Sequence, residues 1–344
     1  MTPELPLPVA RKLKIYWYPQ VPRSITEDTE LDDPRKGRYM PFDRIGRDEW
    51  LEFVDDPEKA DFFFAGEVAP ESSCDLYPRE LPDVSTLTFF ERFPRKHIFL
   101  VVEDFRWAFV PKFVARGIIS TPGGSDYFVD TPMFVTPLLS QLIKYQCANL
   151  LLDTDVTMPD TATFAFRGQE SGHIPWHSQE HFLQHRSLLH KAFVLSKAPG
   201  LFEFASDWGM WAEPTSEKSL TFQQLCKDHL LQLCPQGRGP HSPRSYECSY
   251  YGRIPVLFGG ELGSRLRMMG HDFYDTSFAF SIPASEDVLD VIDQLRAIGA
   301  TPIKELHERA WCAKRYFDDV VRPYFLDPTK MFIRYLLWWK ETNL

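Results

Sequence analysis

Short apolar runs alternate with stretches of helical spacing along the chain, and this alternation restricts the fold more than any other feature. In the first half, strands are expected at 13–19 (LKIYWYP), 61–66 (DFFFAG), 97–102 (HIFLVV) and 117–121 (GIIST). Between them, 47–60 (RDEWLEFVDDPEKA) and the weaker 86–93 carry helical spacing, and 137–153 predicts a stronger helix with Pro137 near its first turn. The stretch 154–162 (TDVTMPDTA) has no periodicity and is the expected linker. Beyond it, strands are expected at 163–168, 191–197, 230–235, 253–259 and 278–283, and helices around 178–190, 220–229, 243–251, 286–298, 303–320 and 329–342. Repeated strand–helix alternation implies parallel sheets flanked by helices. Two such series in 344 residues predict an α/β chain of two Rossmann-like domains, 1–155 and 156–328, followed by a closing helix at 329–344. In sheets of this kind ligands sit at the carboxyl ends of strands.

Charge and cysteine usage exclude several classes. A formal net charge of -10 argues against general affinity for DNA or RNA, which requires a broad basic face. The six cysteines are scattered without a CxxC pair, which fits a reducing compartment better than a disulfide framework. Residues 1–12 lack the apolar core of a signal peptide, and no run of about 18 apolar residues is present to span a bilayer. The expectation is a soluble, cytoplasmic protein without stable membrane insertion.

Against that acidic background, CPQGRGPHSPRSYECSYYGRIPVL (234–257) gathers positive charge at one helix start. Gly237 and Gly239 permit loop conformations closed to other residues. Ser242 is expected to cap the next helix, and Pro243 suits its first position. A helix N-terminus with free N–H groups binds phosphate, and Arg238 and Arg244 add guanidinium contacts. Glu247, about one turn inside the helix, can accept from a sugar or ribose hydroxyl. A capped surface helix with two solvated arginines is the plainer alternative.

The block GRGPHSPRSYECSYYGRIPVLFGGE resembles the C-terminal block of exostosin-type glycosyltransferases, roughly Gly-x-x-x-x-Ser-x-Arg-x-x-Glu-Ala followed by a small residue and IPV. Gly237, Ser242, Arg244, Glu247, Ile254, Pro255 and Val256 match it. Cys248 stands where Ala is more frequent, and Arg253 follows Gly252 where Cys-Ile is common. DDPEKADFFFAG (55–66), HIFLVVEDFRW (97–107) and ATFAFRGQ (162–169) resemble further family segments in the same order. The resemblance implies the GT-B architecture, two Rossmann-like domains facing across a cleft with the last helix crossing back to the first. It implies inverting transfer of a sugar from a nucleotide-sugar, usually a UDP-sugar, to a glycan or glycoconjugate hydroxyl, with no metal or other cofactor required. Carried over, Arg167, Gly237, Arg238, Ser242 and Arg244 would hold the diphosphate and Glu247 the ribose. Asp104 is the first choice for general base, with Glu103 and Asp126 as competitors; pairing of Asp104 with Arg106 is an equally good reading.

Rival signals point elsewhere. His177, His181 and His185 are spaced by four, and HSQEH (177–181) matches the H-x-x-E-H pattern of zinc peptidases, which makes a zinc hydrolase the alternative from another class. Pro175 just upstream and the lack of an evident third ligand favour a His-rich helix face instead; the segment also follows the FRG strand near the expected cleft, where one of these histidines, or Arg186, could touch phosphate or acceptor. Asp153 and Asp155 form an Asp-x-Asp pair after a helical pattern, a poor place for two carboxylates. A binding protein of the same fold without catalysis is the third class.

Overall fold

The computed structural model describes residues 12–19, 51–68, 84–101, 116–121, 124–125, 133–135, 156–170, 180–205, 216–236, 242–259, 265–283, 285–326 and 328–344. Six strands form a first sheet: β1 (Leu13–Trp17), β2 (Leu51–Val54), β3 (Phe62–Val68), β4 (His97–Val101), β5 (Ile118–Thr121) and β7 (Met133–Val135), in the order β2-β1-β3-β4-β5-β7 with every pair parallel. A second parallel sheet joins β8 (Phe164–Gly168), β9 (Gly200–Phe204), β10 (Leu231–Pro235), β11 (Ile254–Gly259) and β13 (Phe280–Pro283) in the order β13-β11-β10-β8-β9. The central strands are apolar along both faces, as parallel sheets covered by helices require. Phe62 to Ala65 and Ile254 to Gly259 are buried without a break. The helices that follow are α1 (Glu180–Ser196), α2 (Glu217–Asp228), α3 (Pro243–Tyr250), α4 (Val288–Gly299), α5 (Ile303–Tyr316), α6 (Arg322–Leu326) and α7 (Pro328–Asn343), with a π-helical turn at Phe317–Val321. The chain is therefore α/β with two parallel sheets flanked by helices. Among the described residues, no helix is long and apolar enough to cross a membrane.

Three expected elements are corrected. The helix at 47–60 gives way, from Leu51 on, to the edge strand β2 and a 3-10 turn at Pro57–Lys59. Pro57 holds Asp56 extended, and the Asp56 carboxylate accepts from the Glu58 N–H, so the turn starts afresh there. The stretch 86–93 forms turns that bury Leu87 and Phe90 rather than a helix. The strand at 191–197 is the last part of α1. There Leu189, Ala192 and Phe193 are buried while Val194 and Leu195 face solvent, a 3.6-residue period that a four-residue apolar run conceals. The strand comes one turn later, as β9. The strong helix expected at 137–153 lies outside the described residues.

Two polar groups sit deep in the interior. His97, fully buried at the start of β4, donates from Nδ1 to the Phe93 carbonyl at 2.8 Å and accepts at Nε2 from the Tyr18 hydroxyl at 2.9 Å. The Phe89 N–H in turn donates to the Tyr18 oxygen. Burial pushes the imidazole down to about 4. A histidine depressed in the fold contributes stability fully present above its ordinary titration range and lost as the pH falls toward the folded value. Unfolding free energy should drop by about 2 kcal/mol between pH 7 and pH 5 on this account. Urea titrations at both pH values check it, and a His97→Gln variant that keeps the full drop would contradict it.

The other group is Arg253, at the head of β11 and 2% exposed. Its guanidinium donates to the carbonyls of Cys226 and Lys227 at the end of α2, of Tyr251 and Gly252 after α3, and of Thr157 in the segment leading to β8. Helix C-termini leave carbonyls unpaired and carry partial negative charge, so one buried cation serves two helix ends at once. At the far end of the chain, α7 lays Phe332 and Tyr335 against Phe134 of β7, and the Trp339 indole N–H donates to the Arg95 carbonyl. Lys340 pairs with Asp61 beside β3. The last helix thus packs against the first sheet.

Candidate anion-binding site

In the second sheet the strand order reverses between β8 and β10: β9 lies outside β8, while β11 and β13 lie beyond β10. The two chain directions part at the carboxyl ends of these strands, which leaves a crevice there. Two arginines converge on it. Arg244, in the first turn of α3, reaches over the end of β8, where Nη2 donates to the Arg167 carbonyl and Nη1 to the Leu233 carbonyl at 3.5 Å. Its guanidinium stacks 4.6 Å from the Phe166 ring centre and 5.3 Å from that of Phe222. Gly168 makes room, because a Cβ there would lie 3.1 Å from the Phe166 ring and 3.5 Å from Arg244 Nη2. Arg186, on α1, donates from Nη1 to the Gln169 carbonyl at 2.7 Å and from Nε to the Gln236 carbonyl at 3.3 Å. It too lies over Phe166, at 6.0 Å.

The electrostatics of this pair are unfavourable as they stand. Burial and then the neighbouring Arg244 charge hold Arg186 down at about 10. Among the described residues, no carboxylate forms an ion pair with either arginine, and Arg244 Nε is buried without a hydrogen-bond partner. Backbone carbonyls fix both guanidiniums in position, but neutral dipoles do not cancel two like charges. An anion entering the crevice would cancel them, and the orphaned Nε–H is a ready donor for it.

The expected site residues are distributed as follows. Ser242 occupies the N-cap of α3 with extended backbone, and Pro243 takes the first helical position. The Ser242 hydroxyl makes no capping hydrogen bond, a correction. Pro243 has no N–H to offer, and both the N–H and the hydroxyl of Ser245 donate to the Ser242 carbonyl instead. Glu247 is buried one turn further, where its charge adds to burial in raising the Cys226 thiol. Arg167 contributes its carbonyl to the cluster. Its side chain alternates to the other face of β8 from Phe166 and lies 3.6 Å from Glu203, its partner in register on β9. Glu103, Asp104, Asp126, Gly237, Arg238, His177, Asp153 and Asp155 lie outside the described residues. Among the described residues no cluster of three His, Cys, Asp or Glu could hold a metal ion.

Gln169 and Gln236 were not among the residues expected at the site, and Arg186 was expected only as one residue after the FRG strand that could touch phosphate or acceptor. Arg186 carried one usable signal: it precedes Leu189 and Phe193 by three and seven residues, so it continues the buried face of α1 toward the top of the sheet. Scanned against protein-family models and against curated proteins, the sequence matches none.

Proposed function

We propose that this chain is a metal-independent, inverting glycosyltransferase of GT-B architecture that binds a nucleotide-sugar, a UDP-sugar by the resemblance, and transfers the sugar to a glycan or glycoconjugate hydroxyl. The single observation that carries the reading is the Arg186–Arg244 pair over the switch point of the second sheet, two cations held by carbonyls and short of one anion. A nucleoside diphosphate suits it because a diphosphate offers several oxygens to two guanidinium forks and to the N–H groups at the start of α3. Departure of the diphosphate develops negative charge, and fixed donors stabilise that charge without a metal ion. Glu247 remains the residue proposed for the ribose. The acceptor proton needs a base from the first half, for which Asp104 is proposed, ahead of Glu103 and Asp126.

The test is calorimetric titration of UDP into the protein in EDTA at low salt. One saturable site is expected, with affinity falling as salt rises. Release of UDP from UDP-sugars on adding a glycan acceptor then separates a transferase from a binding protein of the same fold. Absence of UDP binding would sink the reading.

A further inference from the structure

We draw no further inference here: the strongest candidate, the cavity of about 220 Å³ beside the antiparallel pairing of β12 (Leu266–Arg267) with β6 (Gly124–Ser125), where among the described residues His271 Nδ1 and Ser281 Oγ are buried without a hydrogen-bond partner, carries nothing because Arg265 and Arg267 on its wall already have partners and no remaining group there selects one ligand over water.

Discussion

Replacing Arg244 with methionine weakens UDP binding while leaving the unliganded protein nearly as stable as before. The methionine stem keeps the packing against Phe166 and Phe222 and removes the fork. A hydrogen bond to a charged group contributes about 1.5–3 kcal/mol, so the loss in affinity is roughly 10- to 150-fold. Stability moves little because two effects oppose each other. The carbonyls of Arg167 and Leu233 lose a donor, but the Arg244 repulsion that adds to burial in holding Arg186 down disappears. Arg244→Lys keeps the charge and loses the fork, and falls between the two. Calorimetric UDP titration and thermal denaturation of the same preparations check both halves. A variant that binds UDP like the parent would show that the pair is merely structural. A variant that fails to bind because it has unfolded would appear at once in the thermal trace.

Arg253 gives the opposite pattern, a large cost in stability with no contact to the proposed ligand. Its guanidinium serves five carbonyls, four of them at the ends of α2 and α3. Methionine in its place would fit the space but take the charged donor from the buried carbonyls of Cys226, Tyr251 and Gly252, a loss of about 3–5 kcal/mol. That is a large part of the stability of an ordinary domain. Lysine would recover a fraction, since one ammonium cannot span two helix ends. Chemical denaturation measures the effect, and a change below about 1 kcal/mol would mean that water or backbone movement satisfies these carbonyls.

Both residues show where sequence reading succeeds and stops. The helix start at Pro243, its end at Gly252 and the strand at 254–259 were legible because their signals are local: proline at the first position, glycine at φ +63, then six consecutive strand residues. The parallel-sheet class followed from the same alternation. The assignment of 191–197 failed because a short apolar run looks alike in a buried strand and on one helix face. The one at 47–60 failed because the LEFV strand is too short to declare a two-residue period before Pro57. Arg186 meets Arg244 across 58 residues of chain, and Arg167 meets Glu203 through strand register, so neither pairing has a local signature. Arg253 looked like a departure from a motif. Only the convergence of two helix ends on one point gives it a role.

The central claim is that a diphosphate rests on Arg186 and Arg244 at the switch point between β8 and β10. A structure of the protein with UDP bound tests it most directly. The account predicts diphosphate oxygens within hydrogen-bonding distance of both guanidiniums, one of them taking the Arg244 Nε–H, with no metal ion between. UDP lodged elsewhere, or a diphosphate held through a cation while these two arginines keep only their carbonyl partners, would contradict it.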